Sequence, residues 1–264
     1  MRAHPSILPP LTRTLCGVLE GYAPGYAQDA LSMMNTRTAS DRAAFAQPLF
    51  TPGSRVLDLG CGQGSITATL APACHVIGVD IHHPLLATTS TVDYLTATAY
   101  ALPFKTASID TVFSHALFEH LTNPAAALAE IRRVLRPGGH LAISTSDWSR
   151  AKIRPRTANV DAALRGHYLL RRACGGDPFS GRTIAAKLAA AGFTNITERT
   201  RYREDLTYRA LATYVESRLA TALSQPLTKD HDQLTSAARS AWSWTKSPAI
   251  GDFHQCWQEL TATR

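Results

Sequence analysis

The sequence predicts a doubly wound α/β fold, on three observations. Short apolar runs that are typical of buried strands alternate with helical segments over residues 54–146. The first run, residues 55–59, stops at a glycine-rich loop, and the second, residues 75–80, ends in an acid. Because strands that alternate with helices are joined by right-handed crossovers, we expect a parallel sheet with helices on both faces.

The remaining elements follow from turn signals and periodicity. Asn123 and Pro124 open a predicted helix at residues 125–135, and the turn at residues 137–139 closes it. Ser40 or Asp41 is the expected N-cap of another helix. Further strands are predicted at residues 108–113, 140–144, 193–202 and 253–260, and further helices at residues 11–19, 27–34, 40–46, 65–70, 183–191, 208–223 and 232–244.

Composition excludes several classes of protein. The chain has 264 residues, of which 45% are hydrophobic and 18% charged, so it is neither disordered nor a disulfide-stapled miniprotein. No apolar run approaches the roughly 18 residues of a membrane span, and no secretion signal opens the chain, so we expect a cytoplasmic protein. Five cysteines at wide spacings, without a CxxC pair, indicate free thiols and no metal site.

The formal net charge is +7, and the excess is local. Residues 150–172 hold seven Lys or Arg residues and a single acid, Asp161. Such a segment suits an RNA-binding face, an anionic substrate or simply a solvated surface.

A glycine-rich loop follows the first predicted strand. Gly60, Gly62 and Gly64 permit a tight turn and a close approach of the backbone to a ligand. Asp58 precedes the loop, and Asp80 closes the next strand 20 residues beyond Gly60, where a carboxylate can accept hydrogen bonds from ribose hydroxyls. The spacing is GxGxG, so the loop predicts a nucleoside site but departs from the dinucleotide pattern.

Four segments together carry a family resemblance. VLDLGCGQGSIT with VIGVD after it, LPF at residues 102–104, SIDTVFSHALFEHL at 108–121 and EIRRVLRPGGHLAI at 130–143 resemble those of class I S-adenosylmethionine-dependent methyltransferases. Within that family they look most like the type-11 and ubiquinone- or menaquinone-like enzymes, and the match spans roughly residues 20–200. The resemblance implies a Rossmann-like, seven-stranded sheet whose last strand is antiparallel.

The resemblance also implies a division of the chain into four parts. Residues 1–50 are expected to form a helical lid and residues 51–204 a core that binds S-adenosylmethionine. Residues 205–247 are expected to form an inserted helical cap, and residues 248–264 the last strand of the core sheet. The implied product is S-adenosylhomocysteine.

The resemblance assigns cofactor contacts residue by residue. The three loop glycines would approach the methionine part, with Asp58 near its amino group and Asp80 on the ribose. The other positions implied are Cys61, a small residue within the loop, Ile81 beside the adenine, Thr98 and Ala99 where many relatives have an adenine-binding Asp, and Ser114, His115 and Ala116 at the methionine end.

Methyl transfer from a sulfonium needs little acid-base machinery, because the methyl group is already electrophilic. A base is needed when the acceptor must lose a proton. His115, Glu119 and His120 are candidates because they follow the strand predicted at residues 108–113, and His120 alternatively serves the helix start. Asp147, after the strand predicted at residues 140–144, either orients an acceptor or caps a turn.

Substrate-facing candidates come from the lid and the loops. Tyr22 and Tyr26 would close over the site from the N-terminal lid, or pack in the core. Trp148 follows the strand predicted at residues 140–144. Arg182 precedes a predicted helix, where it would bind an anion or cap the helix.

Three functions remain open. The first is methylation of a small molecule on O, N or C, in the manner of tailoring enzymes of secondary metabolism, by a monomer or a homodimer that binds neither membranes nor nucleic acid. The second is RNA methylation that uses residues 150–172. The third is a methyltransferase-like fold that binds the cofactor without transferring its methyl group.

Overall fold

The computed structural model describes residues 34–82, 92–224 and 230–264. The helices predicted at residues 11–19 and 27–34, apart from Met34, lie outside these described residues, as do Tyr22 and Tyr26. The described strands are β1 (Arg55–Leu59), β2 (His75–Asp80), β3 (Asp93–Thr96), β4 (Ile109–His115), β5 (Leu135–Ser146), β6 (Lys152–Arg154), β7 (Thr194–Arg203) and β8 (Asp252–Thr263). The described α-helices are α1 (Ala39–Arg42), α2 (Pro124–Val134), α3 (Ala158–Ala173), α4 (Ile184–Ala190), α5 (Tyr208–Leu223) and α6 (His231–Thr245).

The strands form one mixed sheet. Strands β3, β2, β1, β4 and β5 lie side by side and are parallel, as the alternation of strands and helices predicts. Strand β8 is antiparallel to both β5 and β7, and its first three residues pair with β6. The predicted doubly wound fold with an antiparallel last strand is confirmed, with the short strand β6 as an eighth member.

Alternation along β1 explains why both faces of the sheet are covered. Val56 belongs to one buried cluster, with Ala39 of α1, and Leu57 belongs to another, with Leu128 and Ile131 of α2. Successive side chains of a strand point to opposite faces, so a five-residue strand contributes to both cores. The acid Asp58 is buried on the first of these faces, directly before the glycine loop.

Helix α2 begins as its sequence predicts. Pro124 occupies the first turn, and the Asn123 side chain accepts a hydrogen bond from the Ala126 backbone N–H at 3.1 Å. The turn expected at residues 137–139 is instead part of the β5 span. A register shift there loops out the backbone, with Gly138 at a φ of 73°.

Two other local predictions are wrong. The N-cap of α1 is Thr38, so Ser40 and Asp41 lie inside the helix. The helix expected at residues 65–70 is reduced to the 3-10 turn Thr67–Thr69.

Helices α3, α5 and α6 form a bundle beside the sheet, with a buried cluster of its own. The sequence analysis predicts α5 and α6 between the last two strands but assigns no helix to residues 158–173. Gly166 of α3 allows close packing, because a Cβ there would lie 2.2 Å from the Cβ of Ala237. Within the described part of the chain, no helix combines the length and apolarity that a membrane crossing requires.

Candidate functional site

A crevice opens where β1, β2 and β4 end. The carboxyl ends of parallel strands are where ligands bind in open α/β sheets. The space measures about 990 Å³ including its mouth, which suits a small-molecule ligand. We call it the crevice, and its lining residues are Met34, Arg37, Gly60, Cys61, Gly62, Gln63, Ser65, Ile66, Asp80, Ile81, His82, His115, Ala116, Leu117, His120 and Leu121.

The glycine loop bends over the end of β2. The Gly60 and Cys61 backbone N–H groups donate to the Val79 carbonyl at 2.8 and 3.1 Å. Gly60, Gly62 and Gly64 all have positive φ values, of 79°, 56° and 80°. At Gly62 nothing lies within 4 Å of an added Cβ, so this part of the loop faces open space.

Asp80 closes β2 at the wall of the crevice. Its Oδ2 accepts a hydrogen bond from the Gly62 N–H at 2.9 Å, and its Oδ1 accepts one from the His82 N–H at 3.1 Å. These bonds fix the orientation of the carboxylate while leaving further lone pairs for a ligand. Ile81 beside it is 53% exposed and adds an apolar surface to the crevice wall.

Asp58 lies beneath the loop rather than in the crevice. Its side chain is buried and accepts a hydrogen bond from the Thr67 hydroxyl at 2.7 Å. Burial raises the pKa of Asp58 to about 7, with the Thr67 bond opposing and the Asp80 charge adding to the rise. The residue therefore supports the loop from below.

His115 ends β4 and lines the crevice. It is buried, and its ring stacks on Trp257 at 4.7 Å between centroids. Neither ring nitrogen has a hydrogen-bond partner in the part of the chain that the structure describes. Burial lowers the pKa of His115 well below its usual value, helped by the charges of Arg37, Arg42 and Arg203. The ring is thus neutral at pH 7.

A second cavity adjoins the crevice on the side of the helical bundle. It measures about 680 Å³ including its opening. Its lining includes aromatic side chains from the loop after β5, from α5 and from β8. We call it the chamber, and its lining residues are Met34, Arg37, Ala116, Glu119, His120, Ser146, Trp148, Arg171, Asp205, Leu206, Tyr214, Phe253, Gln255 and Trp257.

The two cavities share Met34, Arg37, Ala116 and His120. Ala116 has a φ of 57°, in the left-handed region, and its N–H donates to the Ser144 carbonyl at 2.9 Å. A non-glycine residue in this region is uncommon and is often found at functional sites. His120 stands at the same junction, with its Nε2 3.4 Å from the Arg171 Nη2.

The protonation state of His120 follows from this contact. Burial lowers the pKa of His120 well below its usual value, and the positive charge of Arg171 lowers it further. A guanidinium can only donate hydrogen bonds, so the facing Nε2 is the unprotonated ring nitrogen. His120 is therefore neutral, and the lone pair of its Nε2 faces the Arg171 guanidinium in the chamber wall.

Besides Asp58 and Gly64, five predicted site residues lie outside both cavities. The Ser114 hydroxyl donates to the Leu59 carbonyl at 3.0 Å and ties β4 to β1. Asp147 caps a 3-10 turn, accepting bonds from the Ser149 N–H at 2.9 Å and its hydroxyl at 2.6 Å. The other three are Thr98, whose Oγ1 accepts a 3.4 Å bond from the Tyr100 N–H, Ala99, which is buried in the core, and Arg182, which is exposed.

Other predicted residues do line a cavity. Gly60, Cys61, Gly62, Asp80, Ile81 and His115 line the crevice, Trp148 lines the chamber, and His120 lines both. Gly64 lies behind the loop, where an added Cβ would come within 2.3 Å of the Tyr94 hydroxyl. Burial also raises the pKa of the Cys61 thiol, so the thiol is not an activated nucleophile.

Sequence reasoning missed most of the chamber. No local motif joins the residues that line it, because they come from different elements. Arg171 lies on α3, Asp205 lies before α5, Tyr214 lies on α5 and Gln255 lies on β8. The apolar spacing of α3, from Val160 onward, is the one signal that predicts an inward-facing Arg171. Across the described segments, no cluster of three or more His, Cys, Asp or Glu residues is arranged to hold a metal ion.

The comparison with protein families agrees with this geometry. Residues 57–143, which contain the glycine loop, Asp80 and the β4 end, match the family described as "Methyltransferase domain". Residues 57–143, about a third of the chain, therefore form a methyltransferase domain. The family uses S-adenosylmethionine as its methyl donor.

Individual methyltransferases resemble the chain along most of its length. It is 27% identical to the probable methyltransferase ltbC from Aspergillus luteorubrus, over 90% of this chain and 96% of that protein. Against the first curated relatives that it matches, the chain spans only about half of their length, 44% and 53%.

Two solved structures show the shared fold. A putative methyltransferase from Bacillus halodurans C-125 is 17% identical, with a TM-score of 0.58, over 85% of this chain and 98% of that one. The phosphoethanolamine N-methyltransferase 2 of Haemonchus contortus, solved with phosphomonomethylethanolamine and S-adenosylhomocysteine, is 19% identical, with a TM-score of 0.52, over 84% of this chain and 52% of that one.

Proposed function

We propose that this methyltransferase transfers the methyl group of S-adenosylmethionine to a small organic acceptor that binds in the chamber. The observation that carries the proposal is the junction at Ala116 and His120, where the crevice and the chamber meet. Two ligands in these two cavities would meet at that junction. Methyl transfer needs this arrangement, with the acceptor atom in line with the bond that breaks.

The crevice residues fit the adenosyl sulfonium. Asp80 would hold the ribose hydroxyls, because its carboxylate is oriented by two backbone N–H groups and still has free lone pairs. The exposed side chain of Ile81 would flank the adenine. The loop at Gly60 and Gly62 would approach the methionine part, and the open space at Gly62 leaves room for it.

The methyl donor supplies an electrophilic carbon when it is bound, and the chain must supply alignment and a dry site. Trp148, Phe253 and Trp257 give the chamber an apolar wall. These aromatic side chains would exclude water and fix the plane of an acceptor.

We assign to His120 the role of accepting a proton from an acceptor that must lose one. His120 is neutral and stands at the junction, and its unprotonated Nε2 faces Arg171 in the chamber wall. His115 is the weaker candidate, because it lines the crevice alone and its ring lies flat against Trp257. Its place suits contact with the methionine part of the cofactor.

A small-molecule acceptor is favoured over RNA by the fate of residues 150–172. Arg171 is buried and faces the chamber, Arg156 is paired with Asp161 at 2.5 Å, and Lys152 lies over the Tyr202 ring. The other six cations of the segment are exposed, so the preference for a small molecule rests on Arg171, which faces the chamber. We also propose a tailoring role in secondary metabolism and a cytoplasmic location.

The proposal is tested by following a labelled methyl group. The chain is incubated with [methyl-³H]S-adenosylmethionine and either mixed RNA or a panel of small carboxylic acids, phenols and amines. We expect label in small organic products and none in RNA. Label in RNA alone, or cofactor binding without transfer to any acceptor, would contradict the proposal.

Variants then separate placement from proton transfer. His120→Gln should lower kcat by about 100-fold, which is typical for the loss of a general base, and leave cofactor affinity unchanged. The matched control is His75→Gln, an exposed histidine at the opposite end of β2. A full rate for His120→Gln at every pH would show that no base is used.

A further inference from the structure

Arg171 is a buried cation that forms no ion pair with an acidic side chain of the described residues. The residue is 5% exposed, and its Nε has no hydrogen-bond partner among the described residues. Its guanidinium lies 5.8 Å from the centre of the Trp148 ring, and its Nη2 faces His120. Buried charges are normally paired, so an unpaired guanidinium in a cavity wall points to a ligand.

The other charged groups of the chamber are already satisfied. Glu119 accepts hydrogen bonds from the Thr145 hydroxyl at 2.6 Å and the Ser146 N–H at 3.4 Å. Asp205 forms a two-point ion pair with Arg42, at 2.7 and 2.9 Å. Arg37 also lines the chamber and has interactions of its own. Among the described residues that line the chamber, Arg171 is therefore the charged side chain that retains a buried donor without a hydrogen bond, and a ligand could neutralise its charge.

The position of Arg171 at the end of a helix favours the protonated form of its guanidinium. It lies in the last turn of α3, where the helix dipole favours a cation. A guanidinium also stays protonated when buried, and its planar fork matches the two oxygens of a carboxylate.

We infer that the methyl acceptor carries a carboxylate, which pairs with Arg171 while the apolar body of the acceptor lies against Trp148 and Phe253. The inference rests on the proposed function and deepens it by naming the substrate class. Pairing at Arg171 would place the acceptor beside the Nε2 of His120, at the junction with the crevice. A bound carboxylate would also offset the positive charge that now opposes protonation of His120.

The test compares matched carboxylates and carboxamides. Benzoate and 3-phenylpropanoate, and the corresponding amides, are titrated calorimetrically into the chain with and without S-adenosylhomocysteine. We expect the carboxylates to bind at least about tenfold more tightly than the amides, the ratio that one charge-assisted contact supplies. Arg171→Gln should abolish the preference, and Arg171→Lys should retain part of it.

Controls guard against a folding defect. Arg165→Gln removes an exposed arginine from the same helix and should behave as the wild type. Far-ultraviolet circular dichroism and the affinity for S-adenosylhomocysteine report whether Arg171→Gln is folded.

Several results would overturn the inference: amides that bind the wild type as tightly as carboxylates, a preference that survives Arg171→Gln, or no binding of either carboxylate. Tighter binding of inorganic phosphate at Arg171 would assign a phosphate ester instead. If S-adenosylhomocysteine binds and the carboxylate preference is missing, this inference alone fails. If S-adenosylhomocysteine does not bind, the proposed function fails, and the titration of the cofactor-free chain still decides whether Arg171 holds a carboxylate.

Discussion

Buried ionisable side chains tie the stability of this protein to pH. Burial lowers the pKa values of His115, His120 and His167 well below their usual value, and charges of nearby arginines lower all three further. Burial raises the pKa of Asp58 to about 7. His167 lies in the helical bundle between aromatic rings, and neither of its ring nitrogens has a hydrogen-bond partner among the described residues.

The two kinds of shift act in opposite directions below pH 6.5. The unfolded chain protonates all three histidines there and the folded chain does not, so the free energy of unfolding falls as the pH falls. Between about pH 7 and 4 the folded chain instead keeps a proton on Asp58 that the unfolded chain lacks. Three histidines outweigh one aspartate by two protons, so chemical denaturation should show a net loss on the order of 2.7 kcal/mol per pH unit near pH 5.5.

A histidine variant isolates the effect. His167→Phe removes one titrating ring from the apolar cluster and should roughly halve the net slope near pH 5.5, to about 1.4 kcal/mol per pH unit. His75→Gln, at an exposed position, should leave the slope unchanged. Stability that stays flat from pH 7 to 5 in the wild type would show that these histidines are not buried in their neutral form.

At the level of single residues, the sequence predicts local contacts better than side-chain direction. Gly60, Gly62 and Asp80 lie where the motif places them, because the loop and the end of β2 are neighbours by backbone pairing alone. Ser114 and Asp147 were candidates for ligand contacts, but backbone groups take up the Ser114 hydroxyl and one Asp147 oxygen. Which partner a short polar side chain finds depends on neighbours distant in sequence.

Among the elements, strands and helices with a clear hydrophobic period were predictable. The bounds of β1, β2 and α5 agree with the expectation to the residue. Helix α3 was not predicted, because the basic residues on its exposed face mark residues 150–172 as a charged segment. Strand β3 was missed because it is a four-residue edge strand whose side chains are largely exposed.

The close packing of α3 on α6 predicts that a glycine-to-alanine substitution in α3 lowers stability, which is the opposite of its usual effect in a helix. Replacing a glycine in a helix by alanine normally stabilises it by up to about 1 kcal/mol. Gly166→Ala should instead lower the melting temperature, because the new Cβ would lie 2.2 Å from the Ala237 Cβ. Ala237→Gly in the same chain should recover part of the loss, since it removes the clashing methyl group.

An increase in melting temperature for Gly166→Ala would contradict the close approach of the two helices. A loss that Ala237→Gly does not reduce would place the clash elsewhere in the bundle.

For the whole molecule, the topology brings a local motif and a non-local cavity together. The sheet places the crevice at the ends of β1, β2 and β4, and the order of these strands follows from the alternation of strands and helices. The chamber instead forms where the bundle and β8 meet the sheet. Much of its wall comes from residues that lie more than about 100 positions after the glycine loop in the sequence. The cofactor class was therefore predictable from the sequence, whereas the acceptor site required the folded chain.

A calorimetric titration of S-adenosylhomocysteine tests the central claim most directly. The account predicts that the wild type binds it and that Asp80→Asn weakens binding by about 10- to 100-fold, because a charged acceptor for the ribose hydroxyls is lost. An asparagine can still accept the bond from the Gly62 N–H, so the loop should keep its shape. Asp93→Asn, at an exposed acid that begins β3, should bind as the wild type. Equal affinity for Asp80→Asn and the wild type, or no binding to either, would contradict the account.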